Sequence, residues 1–344
     1  MPWSELEIQP RALAILRRAV ESGKVAHAYL FSGPTGAGKD LAARLFAQAL
    51  NCDEKTSDPC GLCHSCDLIA RSMEPGKVVH PDIIHLAPGE WVGSDGKKQA
   101  SDTILVDAVR DLRSRLYNAP LQARNRVVLI HETDKMQIAA QNAFLKTLEE
   151  PLEKLRTVFV LTTNKPLQLL PTIRSRCQKL YFGTTNEKLL VRRMVERHGV
   201  APEKALFLAR LSEGSTGSAD RIAMEAEDND GWVATRGRWL DHWHNFIAKP
   251  ESAVDFVDAV GQSRDALSEC IETLLLWHRD LLICALGQGD RLLINLDRKK
   301  QIENELKQVS MTKVISRSER LLEMRDGLDV YIRADLAIDS FLAV

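Results

Sequence analysis

Residues 33–39, Gly-Pro-Thr-Gly-Ala-Gly-Lys, constrain the fold more than any other stretch of the sequence. They follow a short apolar run, 29–31, and precede an apolar, Ala-rich stretch, 41–50. A strand, a glycine-rich loop, a lysine and a helix in this order are typical of a P-loop, which binds phosphate groups through backbone N–H groups and the helix N-terminus. The sequence therefore predicts an α/β core with a P-loop.

The loop supplies four candidate nucleotide-binding residues, which are Gly33, Gly36, Gly38 and Lys39. The next position normally carries Ser or Thr, whose hydroxyl ligates Mg²⁺, but here it is Asp40. Asp40 has no such hydroxyl, and its carboxylate places a negative charge beside the negatively charged phosphates. Carboxylates also bind Mg²⁺, so partial compensation by Asp40 stays an alternative.

A second altered position follows the apolar run 127–130. In P-loop ATPases such a strand ends in an Asp that holds Mg²⁺ and a Glu that polarises the attacking water. Here His131 takes the place of the Asp, while Glu132 is retained. Imidazole is a poor ligand for Mg²⁺. Together, Asp40 and His131 predict that this site does not hydrolyse ATP, and they argue against ATP and Mg²⁺ as its cofactors.

Four cysteines lie within fifteen residues of one another and could supply four thiolates to one metal ion: Cys52, Cys60, Cys63 and Cys66. Four sulfurs form the closed tetrahedral set of a structural zinc site, and a closed site has no open position for chemistry. We therefore predict a structural Zn²⁺ in the insert 52–66. An iron–sulfur cluster and free thiols are the alternatives.

Three other features invite a binding role, and in each case we favour a structural role. His80 and His85 have no second cluster of ligands near them in the sequence. Trp239 and Trp243 lie four residues apart on a predicted helix, which is typical of core packing. The short basic run 298–300 is typical of a solvated helix face.

The length of 344 residues predicts two or three domains. A net charge of -1 excludes a global basic field that would recruit nucleic acid, so any DNA contact is local or shared with partners. The sequence contains neither an apolar stretch long enough to span a bilayer nor a signal pattern, so we expect a cytoplasmic protein with no membrane contact. The second half reads as helices, with a candidate boundary at 228–231.

The sequence resembles the AAA+ family and, within it, the bacterial clamp loaders of DNA polymerase III. The resemblance is carried by Asn-Ala-Phe-Leu-Lys-Thr-Leu-Glu-Glu-Pro at 142–151, Thr-Thr-Asn at 162–164, Ser-Arg-Cys at 175–177 and the four-cysteine insert. It is rich in motifs over residues 1–185. It implies an AAA+ core at 1–183, a small helical lid at 184–228 and an all-α collar that mediates oligomerisation at 229–344.

The resemblance also implies partners and roles. The family forms a pentameric loader, part of a DNA polymerase holoenzyme, from ATPase subunits and a delta subunit; it opens the sliding clamp and places it on primer-template DNA. Asn164 matches the sensor-1 position, and Arg176 matches a finger arginine that acts in trans on ATP bound by a neighbour. Ser218 matches the sensor-2 position, with Arg221 as an alternative.

Three functional hypotheses follow. The first is a clamp-loader subunit that does not hydrolyse ATP and donates Arg176 to a neighbouring ATPase. The second is an active ATPase motor subunit of the same loader, since Lys39, Glu132 and Asn164 are retained. The third, from another class, is a zinc-containing nucleic-acid-binding module.

Overall fold

The computed structural model describes residues 2–6, 8–54, 57–72, 80–91, 101–149, 156–225, 228, 230–261 and 263–328. The chain divides into two compact units. The first comprises Met1–Thr185 and Ser215–Gly217, and the second comprises Asn186–Gly214 and Ser218–Val344. Among the described residues, no helix has both the length and the apolar character needed to cross a membrane.

The first unit is built on a five-stranded parallel sheet in the order β2-β3-β4-β1-β5. The strands are β1 (Ala28–Ser32), β2 (Ile83–Leu86), β3 (Arg126–Ile130), β4 (Thr157–Thr163) and β5 (Gln178–Tyr181). Leu161 of β4 pairs with Leu30 of β1 on one side and with Ile130 of β3 on the other. Because β4 lies between β1 and β3, the segments that follow these three strands meet at one edge of the sheet.

Helices cover both faces of this sheet. They are α1 (Pro10–Ser22), α2 (Lys39–Asn51), α3 (His64–Ser72), α4 (Val106–Arg115), α5 (Ile138–Glu149) and α6 (Pro171–Arg176). Tyr29 and Phe31 share one core cluster with residues of α1 and α2, whereas Ala28 and Leu30 share the other with residues of α4 and α5. This is the period-2 alternation of a strand buried on both faces. The predicted α/β core is confirmed.

The second unit is helical. Its helices are α7 (Glu187–His198), α8 (Pro202–Leu211), α9 (Thr216–Met224, whose first two residues belong to the first unit), α10 (Trp232–Ala248), α11 (Ala253–Val260), α12 (Arg264–Ala285), α13 (Gly289–Leu292), α14 (Lys299–Leu306) and α15 (Met311–Leu328). Trp239 and Trp243 are 2% and 1% exposed in the largest core of this unit, as predicted. The sequence pattern of 328–342 predicts a further helix, which lies outside the described residues apart from Leu328. The separation of lid and collar stays a prediction.

A buried ion pair stabilises the edge of the first unit at the start of β2. Asp82 is fully buried, and its carboxylate accepts backbone N–H bonds from Leu121, Gln122 and Ala123 at 2.7–2.9 Å. The guanidinium of Arg126 lies 3.6 Å away. Burial alone would raise the pKa of Asp82, but the three N–H groups and Arg126 outweigh it and hold this pKa below its usual value.

We expect Asp82→Ala to lower the free energy of unfolding at pH 7 by about 3–5 kcal/mol, because it leaves a buried guanidinium without its counter-charge. The pKa of Asp82 is lower in the folded protein than in the unfolded chain, where it is about 4. The stabilisation is therefore present at a pH above the pKa of the unfolded chain, and it is lost as the pH falls through the pKa of the folded protein. Urea unfolding from pH 7 downward measures both effects. Asp107→Ala is the control, because that carboxylate is exposed and pairs with Arg110 on the surface of α4. An equal effect of the two substitutions would contradict the prediction.

Candidate functional site

The P-loop has the backbone that its glycines predict. Gly36 and Gly38 have φ angles of 72° and 91°, in the left-handed region that favours glycine. A Cβ at Gly33 would lie 2.0 Å from the carbonyl oxygen of Phe182, so no larger residue fits there. Helix α2 begins at Lys39, directly after the loop.

Lys39 is held inside the loop by three oxygen atoms. Its Nζ donates to the carbonyl oxygens of Gly33 (2.8 Å) and Pro34 (2.7 Å) and to Oδ1 of Asn164 (2.8 Å). An ammonium group has three protons, so these contacts use all of them. The residue is 6% exposed. Burial lowers the pKa of Lys39, and the nearby Asp40 and Asp134 oppose that effect.

Asn164 connects the end of β4 to the P-loop. Its side-chain amide donates to Oγ1 of Thr35 at 3.0 Å, in addition to accepting the bond from Lys39. Its backbone N–H and the hydroxyl of Thr163 both donate to Oδ1 of Asp134, at 3.2 and 2.6 Å. The structure thus places Asn164, the residue expected at the sensor-1 position, against the P-loop lysine.

The two altered magnesium positions contact each other. Nδ1 of His131 lies 3.0 Å from Oδ1 of Asp40, and Nε2 of His131 lies 3.1 Å from Nδ1 of His85. The two imidazole rings are nearly parallel and meet edge to edge, with centroids 5.4 Å apart and an interplanar angle of 3°. Residues 40 and 131 are therefore engaged with each other through a hydrogen bond.

The network continues through His85 on β2. Burial lowers the pKa of His85 to about 4, and the charge of His131 adds to this effect. The ring of His85 is therefore neutral at pH 7. The side chains of Asp40, His131 and His85 form one chain of hydrogen bonds, in which the ring tautomers decide the donor at each contact. Nε2 of His85 is buried and has no hydrogen-bond partner among the described residues. We predicted no functional role for His85 from the sequence. Its position near the end of β2 becomes informative only once the order of the strands in the sheet is known.

Glu132 takes part in a local ion pair. Its backbone is in the left-handed region, with a φ of 47°. Its carboxylate lies 2.5 Å from Nζ of Lys135, three residues later, and both side chains are about half exposed. The residue that would polarise water in an ATPase is thus paired with a neighbouring lysine.

The segment 215–217 packs onto the P-loop within the first unit. The hydroxyl of Thr216 and the backbone N–H of Gly217 both donate to the carbonyl oxygen of Gly36, at 3.0 and 2.8 Å. A Cβ at Gly217 would come within 3.1 Å of the Cα of Gly36, which is a tight contact. Ser218 and Arg221, the sensor-2 alternatives, belong to the second unit, where Arg221 lies 3.7 Å from the carboxylate of Glu269.

Arg176 is the last residue of α6. Its Nη2 donates to Oε1 of Glu149 at 2.6 Å, and its Nη1 donates to the carbonyl oxygen of Thr172 at 3.0 Å. The side chain is 36% exposed. Arg176 is therefore a partly exposed cation with a fixed direction at the surface of the first unit.

The four predicted cysteines come together in space. Their sulfur atoms all lie within 4.8 Å of one another, and Sγ of Cys52 is 4.0 Å from Sγ of Cys63. Four zinc–sulfur bonds of about 2.3 Å in a tetrahedron give sulfur–sulfur distances of about 3.8 Å, so the donor set fits zinc. Backbone N–H groups of Leu62 and Cys63 lower the pKa of Cys60 to about 7, whereas burial raises the pKa of Cys66. None of the described cysteines forms a disulfide.

We expect Lys39→Met to lower the free energy of unfolding by about 1–3 kcal/mol, because buried oxygen atoms would lose their donor. In an open P-loop, where the lysine contacts only nucleotide, the same substitution would leave the stability of the nucleotide-free protein nearly unchanged. Urea unfolding without nucleotide measures the difference. Lys179→Met is the matched control, because Lys179 is an exposed lysine on β5. If the two variants lose equal stability, the structural role of Lys39 is wrong.

Comparison with known proteins gives the family. The protein-family model described as "DNA polymerase III, delta subunit" matches residues 8–186. The DNA polymerase III subunit delta' of Bacillus subtilis is 29% identical over 331 residues, which cover 95% of this chain and 93% of that protein. The gamma/tau subunit of Mycobacterium tuberculosis H37Rv is 34% identical over 226 residues, which cover 64% of this chain, and the chain spans 36% of the length of that relative.

A solved gamma-subunit-related protein from Thermotoga maritima aligns over 96% of this chain and 97% of its own, with 17% identity and a TM-score of 0.47. Because this TM-score is below 0.5, the fold is assigned from the strand order of the chain itself. The expected resemblance to bacterial clamp-loader subunits is confirmed by the sequence matches, which include the delta' subunit. Since the family model covers more than half of its length, the chain belongs to the DNA polymerase III delta-subunit family of clamp-loader proteins.

Proposed function

We propose that the chain is a delta-prime-type subunit of a bacterial clamp loader and that it acts without hydrolysing ATP itself. The match over nearly the whole length of the B. subtilis delta' subunit supports this assignment. In this role the chain assembles with gamma/tau-type ATPase subunits and a delta subunit into a hetero-pentamer. The complex loads the sliding clamp onto primer-template DNA. The net charge of -1 supports DNA contact through the complex rather than through this chain alone.

The bond between Asp40 and His131 carries the proposal that this chain does not hydrolyse ATP. A hydrolytic P-loop directs a hydroxyl and a carboxylate from these two positions at one Mg²⁺ ion. Here the two side chains lie 3.0 Å apart and satisfy each other. The three contacts of Lys39 support the same conclusion, because they use all its donors and ATP would have to displace at least one of them to recruit the lysine.

The position of Arg176 supports its role as an arginine donated to a neighbouring ATPase. A guanidinium that approaches ATP from another subunit neutralises the charge that develops on the γ-phosphate, and it makes hydrolysis depend on assembly. Such a residue has to be exposed in the free subunit and has to project from a rigid element. Arg176 is 36% exposed and ends helix α6.

An active motor subunit is the second candidate, because Lys39 and Asn164 are retained and lie in contact. The same contact argues against it, since it engages the lysine within the chain. The third hypothesis, a zinc-containing nucleic-acid-binding module, has the cysteine cluster in its favour and the near-neutral charge against it.

We expect Arg176→Ala to lower ATP turnover at the site it serves by at least about tenfold, because one transition-state cation is removed. The complex is assembled with the gamma/tau and delta subunits of the same organism, and turnover is measured with clamp and primed DNA. The isolated chain, assayed with Mg²⁺ beside its Lys39→Met variant, should show no turnover above that variant. Arg192→Ala is the control, because this arginine is exposed and pairs with Glu196 on α7. Unchanged ATPase and clamp loading in the Arg176 variant would remove this arginine from the mechanism.

We further propose that Cys52, Cys60, Cys63 and Cys66 bind one structural Zn²⁺. The mutual sulfur distances and the burial of Cys52 and Cys66 support a closed site. Four thiolates leave zinc no open position, so the ion would stabilise the insert rather than perform chemistry. Its removal therefore affects folding and not the chemistry of ATP.

We expect the purified protein to contain one zinc per chain by elemental analysis, and chelation to lower its unfolding temperature, because binding energy at a structural site is folding energy. Cys63→Ser should lose most of the zinc. Cys284→Ser, at a cysteine of the second unit outside the cluster, should retain it. Iron in place of zinc would identify a cluster, and a full complement of free thiols without metal would contradict the proposal.

A further inference from the structure

We propose that Glu149 is a positioning residue for Arg176, which fixes the guanidinium before a neighbouring subunit binds. This inference rests on the proposed role of Arg176 as an arginine donated in trans. Glu149 ends helix α5 and Arg176 ends helix α6, so the pair joins the C-terminal ends of two helices. Neither residue lies in the P-loop or in the cysteine cluster.

The guanidinium is held at two separate nitrogen atoms. Nη2 donates to Glu149 at 2.6 Å and Nη1 donates to the carbonyl oxygen of Thr172, one turn earlier in α6, at 3.0 Å. Two contacts at different nitrogens define both the position and the plane of the group. A guanidinium has five N–H donors, so three stay available for phosphate oxygens of a neighbour.

The placement of Glu149 is not explained by the stability of its own helix. Pro151 follows two residues later in the sequence, which places Glu149 in the last turn of α5, where the partial negative charge of the helix end disfavours a carboxylate and favours a cation. The positive charge of Arg176 offsets this local cost. The pair is also substantially exposed, with side chains 53% and 36% accessible, and exposed ion pairs contribute little to stability.

The pair therefore orders the side chain of Arg176 and contributes little to the stability of the fold. A free arginine side chain samples many rotamers, and binding in trans requires that it adopt one of them. Ordering the side chain beforehand removes part of the entropic cost of reaching the neighbour's phosphate. Because the finger acts in the transition state, this ordering should affect kcat of the neighbouring ATPase more than its KM for ATP.

A double-mutant cycle tests the proposal in the assembled complex described above. The quantity measured is the part of ATP turnover that depends on Arg176, defined as wild type minus Arg176→Ala. We expect Glu149→Ala to lower this part roughly three- to tenfold, with little change in KM and no change in the urea midpoint of the chain. Glu149→Gln, which keeps an acceptor but not the charge, should fall between Glu149→Ala and wild type.

The double variant decides whether Glu149 acts through Arg176. We expect Glu149→Ala to cause no further loss when combined with Arg176→Ala. Glu196→Ala is the matched control, because Glu196 forms a 2.8 Å surface pair with Arg192 and should leave turnover unchanged. If Arg176→Ala itself has no effect, the proposed role of Arg176 as an arginine donated in trans fails. If Arg176→Ala lowers turnover but Glu149→Ala does not, or if the two losses add, the positioning role is wrong.

Discussion

The buried ammonium group of Lys39 is the interaction on which the edge of the sheet depends. It joins the carbonyl oxygens that follow β1 to the side chain of Asn164 that follows β4. A buried charge is tolerated only when oxygen atoms replace its water, and here three of them do so. Asn164 extends the connection to Thr35, and the shared acceptor Asp134 extends it to Thr163. The loop, the strand end and the following turn thus form one hydrogen-bonded network.

The charges that a P-loop ATPase directs at nucleotide and magnesium are balanced within this chain. Asp40 contacts His131, Glu132 contacts Lys135, and Lys39 contacts oxygen atoms of the loop. Arg176 is also paired, with Glu149, but its environment differs: it is 36% exposed, whereas Lys39 is 6% exposed. An exposed pair exchanges partners at little cost, and a buried ammonium does not. The same chain can therefore keep its own loop engaged while Arg176 stays accessible at the surface of the first unit.

Features defined by local spacing could be predicted from the sequence. The P-loop, the four-cysteine cluster and the core positions of Trp239 and Trp243 each follow from residues close together in the chain. Asn164 could be placed at the end of a strand, but its contact with Lys39 spans 125 residues and depends on β4 lying beside β1. His85 was missed as a member of the site for the same reason.

The sequence by itself determined the type of fold, the glycine-rich loop and the identity of the altered positions 40 and 131, because these depend on residue type and spacing alone. Only the tertiary structure decided what those positions do. The order β3-β4-β1 brings three strand ends together, so Asp40 meets His131 and Lys39 meets Asn164. The pairing of Arg176 with Glu149 likewise requires the ends of α5 and α6 to meet. Hydrogen bonds between distant segments depend on strand order and helix packing, which no local pattern specifies.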